Sequence, residues 1–515
     1  MPGQPMPGQP MPGHPMPGQP MPGQPMPWPP QGQTGPGGMV PGGPYQSGPG
    51  HRKPKSKVGL VLVALMLVVV LIGAAGGGMY YFQLGPFGSD VSADRKLGYV
   101  VQERFDSAYK PKEGSDILAG PWWTDKYLVR AMPGQIVGYD LTSGKTAYTL
   151  AMPDNHYCRA SAVQSGKGYI AVLQGTRREG CRRVSVVDIV NGKVLWSKQL
   201  DPMGAPSPGR SGTQHFPAYD HRPVVLGDRL YVPTDKGGHV LKLSDGSRIE
   251  TPNPKSKCFS THYDVIGKTG FAYRNCSRHG GDEGRHLTAF DAAGKVLWKW
   301  NLPTQGSRKY LMTGVLSVDP VLVRVFGQNQ SQIWQIDART GTHRVVLDLT
   351  TNPRTPHALD PCVVAGGDGL HDCSRQVVSN GVLFLRHRLG TRSDTRQGVA
   401  AYDVQSGKQL WLTAWGEEHD VTAPIGVDGD GAPIAYLLPR EKDPGALLRI
   451  DPKTGAMTAT ATLPRSGDSS SGPGNRDLTA HPDQGVVAWH NNQLAFLKTH
   501  ISSKDAGDLA TLVLK

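Results

Sequence analysis

From about residue 90 onward the chain is a succession of short apolar runs broken by Gly-, Asp- and Asn-containing steps. That pattern belongs to many short strands joined by tight turns. Residues 223–232 (PVVLGDRLYV) read as strand, turn and second strand, followed by a strand at 239–243. The same arrangement recurs at 378–386 followed by 399–403, and again across 423–438. In each, an Asp-Gly or Asn-Gly step is expected to supply the positive φ that hairpin turns demand.

Superimposed on these pairs is one phrase that returns seven times: an apolar strand ending in Asp, two or three residues, Gly, and a further strand. It occurs at Asp140–Gly144, Asp188–Gly192, Asp291–Gly294, Asp337–Gly341, Asp403–Gly407 and Asp451–Gly455, with a decayed copy (LKLSDGS) beginning near Lys242. Successive copies lie 48, 54, 49, 46, 66 and 48 residues apart. A period in the forties with paired strands in every repeat predicts an all-β fold, a β-propeller of four-stranded blades. Residues 485–498 and 510–515 supply strands that lack a closing partner, and 97–105 is a strand without a blade. Pairing the two ends completes an eighth blade and removes a sheet edge. Eight blades is therefore the expectation, with seven as the alternative.

The residues before the repeats divide differently. Residues 1–57 repeat MPGQP and are almost wholly Pro, Gly, Met and Gln, a composition that forms no packed core and predicts a disordered tail. Either the tail is a spacer, or its Pro-rich repeats and Trp28 dock a cytoplasmic partner. Residues 58–82 carry no charge and are mostly aliphatic, ending in Tyr80, Tyr81 and Phe82. About 20 such residues cross a hydrocarbon layer as a helix. Arg52, Lys53, Lys55 and Lys57 stand just before it, so the positive-inside rule places the N-terminus in the cytoplasm and the repeats outside. A cleaved signal peptide is the alternative; no Cys stands directly after the run for lipid attachment. This gives a tail (1–57), a single transmembrane helix (58–82), a linker (83–95) and a propeller (96–515), anchored in the cell membrane with the propeller extracytoplasmic. Those four cations leave +9 of the net charge of +13 on the rest of the chain. Anionic wall polymers or lipid headgroups suit that excess, as does plain solubility, whereas the topology disfavours nucleic acid.

All six cysteines follow the apolar run and fall into neighbours: Cys158 with Cys181, Cys258 with Cys276, Cys362 with Cys373. An even count in an extracytoplasmic chain predicts disulfides, here three local ones, although six cysteines allow fifteen connectivities. No CxxC step or Cys/His pair at ligand spacing favours a metal site instead.

The repeated phrase resembles the quinoprotein-type, or PQQ-like, propeller repeat, whose docking motif has the form AxDxxTGxxxW. VVDIVNGKVLW and AYDVQSGKQLW match it at full spacing and place Trp196 and Trp411 at the docking position. The Asp291 copy is one residue short and ends at Trp298; Tyr148 replaces Trp in the first copy, while Val345 and Ala459 close the Asp337 and Asp451 copies. The resemblance implies that Asp and Gly hold the turn while Trp packs across the seam to the next blade. Enzymes of the family use a quinone (PQQ) with a calcium ion, an Asp base and often vicinal cysteines; no adjacent Cys pair exists here. Residues 427–433 (VDGDGAP) superficially resemble a calcium loop but lack its terminal acid, so a hairpin turn explains them better. His215, Asp220 and His221 sit in a Pro/Gly-rich insertion; Arg177, Arg178, Arg182 and Arg183 flank Cys181; Asn275 opens an Asn-Cys-Ser step. Surface-loop roles suit them all, so no catalytic, cofactor or metal residues are assigned. The family also includes a lipoprotein that assists outer-membrane β-barrel assembly through propeller loops. The expected function is a membrane-anchored binding or scaffold module for a protein or cell-envelope polymer. The alternatives are a quinone-dependent oxidoreductase and a transmembrane sensor coupled to the tail.

Overall fold

In the computed structural model the described residues fall within 93–515. They comprise 95–104, 115–152, 157–176, 180–200, 222–234, 237–250, 259–276, 284–305, 311–327, 330–349, 357–359, 376–390, 396–415, 423–438, 444–463, 485–502 and 509–515, with residues 93, 308–309 and 421. The chain separates into two units, 1–68 and 69–515, and every described residue belongs to the second. The expected tail and apolar segment (58–82) lie outside the described residues, as does the linker up to residue 92. Among the described residues no helix is long and apolar enough to cross a membrane.

Strands form eight antiparallel blades. Blade 1 runs Ala119–Trp123, Tyr127–Met132, Gln135–Asp140 and Thr146–Ala151. Blade 2 begins at Tyr157–Ala160, blade 3 at Val224–Leu226, blade 4 at Phe259–Ile266 and blade 5 at Leu311–Val318. Blade 6 begins at Gln376–Ser379, with His357–Ala358 pairing beyond it on the same second strand, and blade 7 at Gly426–Val427. Blade 8 combines Gly485–His490, Gln493–Lys498 and Leu509–Leu514 with Tyr99–Arg104, the first strand of the propeller. Tyr99 pairs with Leu514 and Arg104 with Leu509, so the two ends of the domain close the ring in one sheet.

The core is eight separate wedges, and each holds side chains of two consecutive blades. Strand periodicity makes this possible, because alternate residues point to opposite sheet faces. Leu383 and Leu385 of blade 6 enter the wedge shared with blade 5, while Phe384 between them enters the wedge shared with blade 7. The eighth wedge joins Val101, Leu497 and Val513 of blade 8 to Leu128, Val137 and Tyr139 of blade 1. A seven-bladed ring would have no such wedge.

Hairpins within the blades follow the expected chemistry, with one difference. Asn380 and Gly381 both take positive φ (51° and 74°), as do Asn491 and Asn492 (46° and 60°). In blade 3 the order is reversed: Gly227 (φ 61°) precedes Asp228, so glycine takes the left-handed position alone. Each outer strand from Thr146–Ala151 to Met457–Thr462 carries a register shift against its neighbour. Such bulges twist an exposed edge away from further pairing.

Candidate functional site

The third strand of each of the first seven blades ends in a short turn to the outer strand. In blade 1 the Gly144 amide donates to the Asp140 carbonyl (2.8 Å), and the Asp140 amide to the Lys145 carbonyl (2.8 Å). The Asp140 carboxylate accepts from the Thr142 and Ser143 amides at 3.0 and 2.7 Å. Asp188, Asp337, Asp403 and Asp451 accept from turn amides in the same way. Amide donors favour the ionised form, and they hold Asp140, Asp337 and Asp451 below the usual carboxylate range. The Ser406 hydroxyl, then its amide, does the same for Asp403. In blade 3 Lys242 occupies the Asp position, yet the Gly246 amide still donates to its carbonyl at 2.9 Å. The backbone turn thus survives loss of the carboxylate, which explains the decayed phrase.

The docking residues join neighbouring blades. Trp196 Nε1 of blade 2 donates to the Leu243 carbonyl of blade 3 (2.8 Å), and its ring lies 3.0 Å from where a Cβ on Gly246 would stand. Trp411 repeats this from blade 6 to blade 7, donating to the Pro452 carbonyl (3.0 Å) over Gly455. Tyr148 uses its hydroxyl on the Ile189 carbonyl (2.7 Å) over Gly192. In all three the acceptor directly follows the Asp position, and the turn glycine is bare because a ring covers it.

Two of the other seams show how the motif position can be bypassed. Between blades 5 and 6 the acceptor is the Val404 carbonyl, and Arg344 Nη2 fills the donor role (2.6 Å) instead of Val345. Val345 is 48% exposed and takes no part in this bond. The bulge in blade 5 falls two residues farther from the turn, which brings Arg344 opposite Gln335. Between blades 4 and 5 a Cβ on Gly341 would meet nothing within 4 Å. Trp298 still packs in that wedge, but Trp300, 2% exposed, makes edge contacts with Trp334 and His343, which stack on each other 4.6 Å apart. Sequence reading missed Arg344 and Trp300; the signal for each was a donor or aromatic near, but not at, the motif position.

These residues hold blades together. In the VDGDGAP hairpin, Asp428 accepts from the Asp430 and Ala432 amides (2.9 Å each), while Arg449 bonds Asp428 (2.5 Å) and Asp430 (3.2 Å). A guanidinium already neutralises the only acidic pair that resembled a calcium loop. Among the described residues no three His, Cys, Asp or Glu side chains converge.

Strand direction sorts every connection to one of two ends. First-to-second and third-to-fourth connections share one end and are tight, the longest being 161–168 in blade 2. Second-to-third and blade-to-blade connections share the other, which we call the loop end. There, Gln199 leads to Val224 and Thr462 to Gly485 across long intervals. Cys181 in blade 2 and Cys276 in blade 4 lie near this end, both fully buried and each in a disulfide of its own, with the Cys276 sulfur 3.7 Å from His286 Nδ1. Cys258, Cys362 and Cys373 lie outside the described residues, as do Arg177, Arg178, His215, Asp220 and His221. Cys158 falls on the first strand of blade 2; Arg182 and Arg183 fall on its third, and Asn275 ends the second strand of blade 4.

Residues 283–505 match the family model described as outer membrane protein assembly factor BamB. The match covers the Asp291, Asp337, Asp403 and Asp451 phrases, and the same turn geometry continues through blades 1 and 2 outside it. Among solved structures the chain is similar to BamB from Moraxella catarrhalis, at 14% identity and a TM-score of 0.43, over 81% of this chain and 99% of that one. No curated protein matches it.

Proposed function

We propose that this chain is a non-catalytic, membrane-anchored propeller of the cell envelope that binds a protein partner through its loop end. The observation that carries the reading is the division of labour between the two ends. Tight turns at one end are consumed by blade joining, while the long connections gather at the other, where loops on a rigid scaffold carry recognition. The assembly-factor description of the matching family model supports a protein partner. The uncharged segment 58–82 supports the anchor, with the propeller outside the cytoplasm.

Photo-crosslinkers placed at Ala151 (loop end) and Ala293 (turn end) of the full chain in intact cells test the proposal. A discrete protein adduct from position 151 alone is expected. Adducts from both positions equally, or from neither, would overturn it, and an adduct to a cell-wall polymer would replace the protein by that ligand. Incubation with pyrroloquinoline quinone and calcium is expected to leave the melting temperature unchanged and to support no dye reduction.

A further inference from the structure

Positive charge is not spread evenly around the ring. Residues 152–310, which build blades 2–4 and the connections on either side, hold 24 Lys and Arg against 13 Asp and Glu. Residues 311–515 hold 19 against 21, and residues 83–151 hold eight of each. One sector therefore carries the whole excess, and strand direction shows where in that sector it lies. Arg159, Arg183, Arg222, Arg274 and Arg285 stand toward the loop end of blades 2–4. Register fixes their level: Arg183 lies opposite Gln174 and Gln199, Arg274 opposite Ser260 and His286, and Arg285 opposite Asn275. Among the described residues of blades 2–4 the acids lie at or near the turn end, except Glu250, which ends the short outer strand of blade 3 beside Arg229 (3.8 Å). At that turn end the two signs alternate: Lys193 shares its turn with Asp188, Lys242 with Asp245 and Lys295 with Asp291. The connections at the loop end of the same sector do not cancel its arginines, because they add nine further Lys and Arg against seven Asp and Glu.

We infer that the loop end of blades 2–4 receives an acidic segment of a protein partner, rich in Asp and Glu. The described cations there are all arginines, whose flat fork of donors fits a carboxylate with two parallel hydrogen bonds. Arg274 is exposed and the other four are half-buried, so the charge sits on the surface of the scaffold and not only on long loops. Cys181 and Cys276, each fully buried and disulfide-bonded, lie two residues from Arg183 and Arg274. Those strand ends are therefore held before a partner arrives, and less ordering is lost on binding. A surface of one sign also speeds encounter with the opposite sign. This inference rests on the protein-partner reading above, and it narrows the contact to three of eight blades and the partner to an anionic one.

The test places a photo-crosslinker at Gln199, exposed at the loop end of blade 2, in the full chain in intact cells. Two variants with the same change in net charge are compared. One carries Arg222→Glu, Arg274→Glu and Arg285→Glu; the other carries Lys145→Glu, Lys408→Glu and Lys453→Glu at the turn end. The first is expected to lower the yield of the protein adduct at least ~10-fold, because steering by opposite charge is reversed, while the second keeps it. If the first variant is missing from cells, the Arg→Gln triple at the same positions replaces it and is read in the same way. A protein adduct from position 151 but none from 199, an adduct that survives the arginine reversal, or equal loss in both variants overturns the inference while the protein-partner reading stands. If neither position yields a protein adduct, that reading fails. Fluorescence anisotropy of labelled poly-L-glutamate with the purified full chain then reads the patch. Binding that the arginine triple abolishes upholds the acidic site, and no binding, or binding the triple leaves unchanged, overturns it.

Discussion

Arg130, on the second strand of blade 1, donates to the main-chain carbonyl of Ala510 at 2.5 Å, across 380 residues of sequence. The same guanidinium donates to Thr511 Oγ1 (2.9 Å) and to the Lys498 carbonyl, and the side chain is 1% exposed. Burying a cation is costly unless its donors are used, and here three acceptors of blade 8 receive it. The blade 8–blade 1 seam has no motif Trp, and this clasp joins the two blades. Replacing Arg130 with Met should lower stability by roughly 2–4 kcal/mol, because charged hydrogen bonds are lost and buried carbonyls are left unpaired. Thr511→Val should cost only about 1 kcal/mol. Urea denaturation of both variants checks the ranking.

The turn glycines should differ from one another in a way their shared sequence context hides. A Cβ on Gly144 would stand 1.8 Å from the Val100 carbonyl oxygen, and one on Gly455 would meet the Trp411 ring at 2.8 Å. At Gly341 the space is open, although φ is +70°. Gly341→Ala should therefore cost only the left-handed backbone penalty of about 1–2 kcal/mol. Gly455→Ala should cost more, and Gly144→Ala the most, since backbone must move. Thermal melts of the three variants measure the order.

Arg344 and Val345 offer a direct trial of the blade 5–blade 6 seam. Arg344→Ala removes the donor to the Val404 carbonyl and should destabilise by about 1.5–3 kcal/mol. Val345→Ala, at the position the motif would mark, should change stability by roughly 0.5 kcal/mol or less, as for an ordinary surface site. The opposite ranking would restore the motif position.

Acid should act in two windows. Burial pushes the His387 imidazole down to about 4 from its usual 6.5. The unfolded chain therefore takes up a proton that the folded chain refuses, and stability falls as pH drops from 6.5 toward 4. His343 and His490, also lowered by burial, add to this slope. The turn aspartates behave differently: their folded values lie below the ordinary 3.8, so their contribution persists above that pH and is lost below it. His387→Gln should flatten the upper window and leave the lower one, as chemical denaturation across pH 7 to 3 would reveal.

Much of the ring was legible because a propeller repeats its physics. Alternating apolar residues, hairpin glycines and the Asp–Gly phrase each depend on local geometry, so their return from blade to blade reinforces one reading. The strand at 97–105 could be assigned to the last blade because an unpaired edge needs a partner. Seams were less legible. What the acceptor carbonyl requires is a donor in reach, and Trp196, Tyr148 and Arg344 all satisfy it. A shift of one bulge changes which residue reaches, as Arg344 and Val345 show. The loop end was least legible, since no backbone periodicity governs where recognition side chains lie.

Pairing of Tyr99–Arg104 with Leu509–Leu514 has a consequence for how the protein is made. The first strand to emerge during synthesis belongs to the last blade, and its hydrogen-bonding partner is produced only after every other blade. Seven blades can stack as they appear, but the nascent ring stays open, with an unsatisfied strand at one margin, until Leu509–Leu514 is made. Synthesis of that one strand is thus itself the closing step, and a chain truncated before it yields an arc and never a ring.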